Sequence, residues 1–161
     1  MRRLAIAGAT GSIGRQAIDV LSEVGDIELV LLGCGSDSDA LGAVAAAAGC
    51  ERLVCESEAP GSFAEALHEL KPDLVLNAAS GFAGLAITRA AIEAGADIAL
   101  ANKESLVAGG ELVVEAAAAA GIELIPVDSE HAALAQLLEG TRPSEIEGVT
   151  ITASGGPFRG W

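Results

Sequence analysis

Gly8-Ala9-Thr10-Gly11-Ser12-Ile13-Gly14 is the stretch whose setting assigns this chain to a fold. A short apolar run, residues 4–7, leads into it. Residues 15–22 leave it with helical periodicity that puts Ile13, Ala17, Val20 and Leu21 on one face. Strand, glycine turn, helix is the order of a dinucleotide-binding unit, and Gly8, Gly11 and Gly14 form a G-x-x-G-x-x-G variant of its fingerprint. Glycine serves the tight turn and lets backbone approach a pyrophosphate closely. The helix N-terminus then offers unpaired N–H groups to the phosphate oxygens. The same spacing also suits a tight turn with no ligand.

Outward from that turn the chain alternates. Apolar runs at residues 27–32, 52–55, 73–77, 97–100, 122–125 and 149–153 read as further strands. Between them, residues 40–48, 63–70, 85–93, an alanine-rich stretch ending at Ala120, and residues 132–138 read as helices. Gly95 and Gly121 stand where helix ends call for a left-handed cap. Strands alternating with helices through short connections predict an α/β chain built on a doubly wound, Rossmann-like parallel sheet. Composition agrees: 51% of residues are hydrophobic but only 2% aromatic, which suits helices packed on buried parallel strands.

The net charge of −14 argues against nucleic acid or an anionic membrane as partner, but leaves room for an anionic small molecule in a local pocket. Cys34, Cys50 and Cys55 show no Cys-x-x-Cys spacing and only His68 and His131 join them, so neither a zinc site nor a disulfide framework is expected. A reduced, cytoplasmic chain is the expectation. No apolar stretch reaches the roughly 20 residues of a membrane span. Met1-Arg2-Arg3 is basic, but no apolar segment follows, so neither a signal peptide nor a twin-arginine leader is expected.

In such a sheet ligands lie beyond the carboxyl ends of the strands, which makes the polar residues there the candidates. Residues 27–32 end at Gly33-Cys34-Gly35-Ser36-Asp37-Ser38-Asp39. Asp37 and Asp39, with no Lys or Arg beside them, lean towards a free ribose 2′-hydroxyl as in NAD; both also read as caps of the next helix. Residues 78–84 form a second small-residue turn after a strand. Asn102, Lys103 and Glu104 follow residues 97–100. Lys103 there can reach a substrate oxygen or a cofactor phosphate. The trio also reads as a helix start capped by Asn102, although a lysine in that place opposes the helix dipole.

Pro126-Val127-Asp128-Ser129-Glu130-His131 places two carboxylates at i and i+2, which point to one side in extended backbone. Such a pair repels unless a proton or cation lies between them. Hard oxygen donors suit Mg²⁺ or Mn²⁺. The competing reading has Asp128 capping a helix with Glu130 in its first turn. His68, among acidic residues of a helix, reads as surface.

Residues 8–14, Leu100-Ala101-Asn102-Lys103-Glu104-Ser105-Leu106, residues 126–131 and Thr152-Ala153-Ser154-Gly155-Gly156-Pro157-Phe158-Arg159 occur in this order. On that combination the chain, from Leu4 to Trp161, resembles the 1-deoxy-D-xylulose 5-phosphate reductoisomerase family of non-mevalonate isoprenoid biosynthesis. The resemblance implies an oxidoreductase that rearranges a phosphorylated sugar with the help of Mg²⁺ or Mn²⁺ and reduces the resulting aldehyde with NADPH, giving 2-C-methyl-D-erythritol 4-phosphate. By the same match Thr10, Gly11, Ser12 and Ile13 contact the cofactor. Gly35 and Ser36 face its adenosine 2′-phosphate, where the missing cation leaves a preference for NADP without support. Asn102 and Glu104 lie beside the cofactor, Lys103 contacts substrate, and Asp128 and Glu130 supply two of three metal carboxylates. Ser129, Glu130 and Ser154 contact substrate. Lys103 and Glu130 are the candidate catalytic residues.

The resemblance divides the chain into residues 1–127, the NADPH-binding domain, and residues 128–161, the beginning of an α+β catalytic and metal-binding domain. Family members are far longer and homodimeric. The expectation is therefore an amino-terminal part with an unfinished metal site, which binds NADPH without useful turnover. Its strand at residues 149–153 and the helix before it would lack their normal neighbours, and an exposed strand edge invites association. The residues by themselves leave two other readings open: a short NAD(P)-dependent reductase of other specificity, and a nucleotide-binding module without activity.

Overall fold

The computed structural model describes residues 1–152; Ser154 and the rest of its motif lie outside the described residues. The elements are β1 (Arg2–Ala7), α1 (Ser12–Leu21), β2 (Ile27–Cys34), α2 (Ser38–Ala48), β3 (Leu53–Cys55), α3 (Ser62–Leu70), β4 (Leu74–Asn77), α4 (Ala83–Ala94), β5 (Asp97–Leu100), α5 (Glu104–Ala120), β6 (Leu124–Pro126) and α6 (Ser129–Leu138), then a 3₁₀ turn at Pro143–Glu145. The strands form one six-stranded sheet in the order β3-β2-β1-β4-β5-β6, with every neighbouring pair parallel. This is the doubly wound order, and its switch point lies between β1 and β4. Arg2 and Arg3 belong to β1: the Arg2 guanidinium pairs with Asp97, and Arg3 Nη1 donates to the Leu70 carbonyl at 2.6 Å.

Both faces of the sheet are covered, as parallel strands require. Alternation along β1 sends Ala5 and Ala7 into one core with Leu31, Val75, Ile98 and the α3 residues Phe63 and Leu67. Leu4 and Ile6 enter the other, with Leu32, Leu76 and the α2 residues Leu41 and Ala45. Phe63 is 1% exposed, and a Cβ on Gly33 would collide with its ring. That glycine is what lets the aromatic ring lie flat on β2.

The helical face expected for α1 is rotated in the structure. Ala17, Ile18 and Leu21 pack on the core, while Ile13 and Val20 are 40% and 60% exposed. The cause is Gly14: a Cβ there would strike the Gly8 carbonyl and the Ala9 backbone, so this residue must face the turn. Its i+3, i+4 and i+7 neighbours are Ala17, Ile18 and Leu21, and they become the buried stripe.

Two further expectations change. The alanine-rich helix is broken at Gly110, whose φ of 48° and ψ of −132° lie outside helical space. Residues 149–152 form no strand, and Val149 and Ile151 are 52% and 59% exposed. Their apolar alternation has no described strand to pair with, and extended backbone without a ladder has little to hold it. Among the described residues, no helix is long and apolar enough to cross a membrane.

Candidate functional site

The carboxyl ends of β1, β2 and β4 open onto a cavity of about 480 Å³. Its floor includes Gly8, Thr10, Gly11 and Gly35; Ala78, Ala79 and Ser80 form one wall, and Phe63 and Ile87 lie behind. The glycines of the turn divide the labour. Gly8 has φ +80° and carries its hydrogen against the Ala78 carbonyl. Gly14 lets α1 sit on the turn. Gly11, bordering the cavity, is the N-cap of α1 and supplies no side-chain cap. The first N–H groups of α1 are therefore left for a ligand. A dinucleotide pyrophosphate fits this cradle, whose shape rests on the close backbone contacts that Gly8 and Gly14 allow.

The start of α2 differs. Asp37 Oδ1 accepts the Ala40 N–H at 2.9 Å, and Asp39 lies in the first turn. The structure adopts the capping reading for Asp37; Asp39 caps nothing and lies inside the helix. Glu56 also borders the cavity, yet its carboxylate accepts the Gly61 and Phe63 N–H groups at 2.7 and 2.9 Å and so holds the start of α3. Among the described residues no Lys or Arg lines the cavity.

Cys34 and Cys55 are register partners on β2 and β3 at the same edge. Burial pushes the Cys34 thiol up to about 11, whereas a hydrogen bond with the Ser57 hydroxyl lowers Cys55.

On β5 and β6, further along the same edge, the charged candidates meet. Lys103 Nζ lies 2.9 Å from Asp128 Oδ2. That contact holds the Asp128 carboxyl below its ordinary range, with a smaller contribution from Glu130, and raises Lys103. The Lys103 side chain is 53% exposed and that of Asp128 only 12%. Asp128 stands at the N-cap of α6, but its side chain makes no capping bond. Its Oδ1 is buried with no hydrogen-bond partner, and His131 Nδ1 is 3.9 Å away. Ser129 Oγ donates to Glu130 Oε2 at 2.9 Å. An orphaned carboxylate oxygen beside a second carboxylate is a donor set a hard divalent cation fits. Among the described residues no group of three His, Cys, Asp or Glu converges, so Asp128 and Glu130 meet no third such donor there.

The family model of 1-deoxy-D-xylulose 5-phosphate reductoisomerase matches residues 4–60 and 51–110, and that of its C-terminal domain matches residues 124–161. The chain belongs to this reductoisomerase family. The reductoisomerase of Nocardia farcinica is 44% identical over 99% of the chain, and that of Mycobacterium ulcerans 43% identical over the same share. The chain spans 43% and 42% of those relatives. Among solved structures, the Zymomonas mobilis reductoisomerase in complex with NADPH aligns with a TM-score of 0.77 and 33% identity, over 99% of this chain and 47% of that one. A reductoisomerase in complex with NADPH, fosmidomycin and magnesium aligns at 0.69 and 31%, over 84% and 38%.

Within this chain, Thr10 and Gly11 line the cavity, while Ser12 and Ile13 occupy the first turn of α1. Gly35 borders the cavity and Ser36 is exposed beside it. Lys103, Asp128 and Glu130 come together; Glu130 and Ser129 also line a separate groove of about 510 Å³ with Leu134, Leu137 and Thr150. Asn102 is 2% exposed, and its amide is fully engaged inside the protein. Glu104 Oε1 accepts the Gly81 N–H at 3.3 Å. Asn77, Thr88 and Ser105, fully buried polar residues under the same turn, escaped the sequence reading. Their one signal was polarity inside apolar runs.

Proposed function

We propose that this chain carries the NADPH site and two of the metal carboxylates of a 1-deoxy-D-xylulose 5-phosphate reductoisomerase, with residues 1–127 as the dinucleotide domain and residues 128–161 as the beginning of the catalytic one. The carrying observation is the Lys103–Asp128 contact of 2.9 Å, made on the sheet edge that also holds the glycine-turn cavity. NADPH would lie with its pyrophosphate at Gly11, Ser12 and Ile13 and its adenosine side at Gly35 and Ser36. Asp128 and Glu130 would hold Mg²⁺ or Mn²⁺, whose chemistry when bound is Lewis-acid polarisation of substrate oxygens.

The chain's own residues supply the rest. Lys103 stays protonated at neutral pH and presents a cation to a sugar-phosphate oxygen. Ser129 and Glu130 offer a hydroxyl and a carboxylate on the substrate side, with Ser154 assigned to its phosphate end. Asn102 would act on the cofactor through backbone, because its side chain is spent inside the protein. Held at the same edge, nicotinamide and sugar carbonyl would meet at the roughly 3–3.5 Å that hydride transfer requires.

Two carboxylates would hold Mg²⁺ only weakly, whereas the glycine-turn site needs no metal, so NADPH binding is expected without added Mg²⁺. The test is fluorescence titration with NADPH together with an assay of substrate-dependent NADPH oxidation in Mg²⁺. Saturable binding that Gly11→Asp abolishes is the expected result. Absence of binding overturns the cofactor site, and turnover that Asp128→Asn leaves unchanged overturns the metal role of the carboxylates.

A further inference from the structure

We propose that Asn77, Thr88 and Ser105 are positioning residues that aim the Ser80 backbone N–H into the cofactor cavity, an inference that rests on the dinucleotide reading of that cavity. Asn77, Thr88, Asn102 and Ser105 are each 2% exposed or less, and their hydrogen bonds run in one direction. Asn77 Nδ2 donates to the Gly84 carbonyl at 2.8 Å and to Thr88 Oγ1 at 2.9 Å. With that lone pair taken, the Thr88 hydroxyl donates onward to Ser105 Oγ at 3.1 Å. Ser105 Oγ then donates to Asn102 Oδ1, which also accepts the Ser105 N–H at 3.0 Å.

A backbone N–H can only donate, so this last bond decides which way the Asn102 amide faces. Its oxygen looks towards α5 and its NH₂ towards the turn after β4. Nδ2 there donates to the Ala79 and Gly81 carbonyls at 2.7 and 2.9 Å. A Cβ on Gly84 would collide with the Asn102 amide, so α4 is built to let that amide in.

The consequence follows from peptide geometry. In a planar trans peptide the C=O and the next N–H point in opposite directions, and the chain has no cis bonds among the described residues. Drawing the Ala79 carbonyl inward therefore turns the Ser80 N–H outward. Ser80 lines the cavity, and no acceptor among the described residues takes its N–H. Glu104, bonded to the Gly81 N–H, holds the far side of the turn. The result is a preorganised donor for an acceptor oxygen of the dinucleotide, paid for in folding rather than on binding.

The experiment uses ¹⁵N-labelled chain. In the wild type, NADPH shifts the Ser80 amide resonance. Thr88→Val, close in shape but lacking the hydroxyl, lowers the heteronuclear NOE at Ala79–Gly81 in the free chain and weakens NADPH binding about fivefold or more, with β1 and β2 resonances native. Thr88→Ser restores both. A saturated wild type whose Ser80 amide does not move overturns the aimed donor. A Thr88→Val chain with an equally rigid turn, or with unchanged affinity, overturns the positioning role. If the wild type binds no NADPH, the dinucleotide reading and the aimed donor fail together, and the rigidity comparison still decides whether the network sets the turn.

Discussion

Asp128 stands where a helix cap belongs and spends its carboxylate elsewhere. Its Oδ2 meets Lys103 and its Oδ1 is buried without a hydrogen-bond partner, so the carboxylate caps no N–H of α6. Because its pKa is depressed from 3.8, its contribution to stability is present above that value and is lost as pH falls through the lower folded one. Lys103 is raised from 10.5, so its contribution is present below that value and lost as pH rises through the higher folded one. The pair therefore persists across the neutral range and opens only at its extremes. Lys103→Met is expected to return the Asp128 carboxyl towards its ordinary range, seen by ¹³C-carboxyl NMR titration. An unchanged titration would show that Glu130 and His131, not Lys103, set it. The effect on stability is small, since a half-exposed lysine is screened by solvent. The turn glycines are less forgiving. Gly8→Ala forces a side chain at φ +80° into the Ala78 carbonyl, with an expected loss of about 2–4 kcal/mol by urea unfolding.

Among the elements, α5 carries a break that its composition hides. Its alanines are good helix formers, but Gly110 adopts φ 48° and ψ −132°, a conformation other residues pay to reach. Gly110→Ala is expected to cost about 1–3 kcal/mol in thermal or urea unfolding. Gly42 is the contrast: it sits inside α2 with nothing within 4 Å of a Cβ. Gly42→Ala should stabilise by about 0.5–1 kcal/mol in the same measurement. Two substitutions of one kind with opposite signs test the reading of α5 as bent by its backbone. Caps follow the same logic. Asp37→Ala removes the bond to the Ala40 N–H and should cost about 1 kcal/mol, whereas α1 has no side-chain cap to lose.

At the scale of the molecule, the sheet is well covered up to β5 and thinly covered beyond. No residue of α6 is buried, and Leu137 is 76% exposed. On α5, Val107 and Leu112 are 85% and 76% exposed. Apolar surface gathered on the β6 side of the sheet favours association. Light scattering is expected to show self-association that rises with concentration and falls in Leu112→Glu/Leu137→Glu; a clean monomer at high concentration would remove the idea. The expectation covered residues 149–153 and the helix before them; residues 149–152 form no strand, and that helix is α6, which carries Leu137.

The doubly wound sheet was legible in the sequence because local signals agreed. Apolar runs of strand length, glycine at the turns and helix periodicity each point to one local state, and short connections leave few topologies. The Asn102–Glu104 and Asp128–Glu130 stretches were legible as candidates because strand ends are where ligands bind. What they contact was not, since capping and ligand roles use the same residues in the same places. Local geometry gave Asp37 to a cap, and tertiary structure sent Asp128 to Lys103. It also rotated α1 through the Gly14–Gly8 contact, bent α5 at Gly110, and joined Asn77, Thr88 and Ser105 into one network from three separate elements. Side-chain direction and burial depend on neighbours distant in sequence, and only the packed sheet brings those neighbours together.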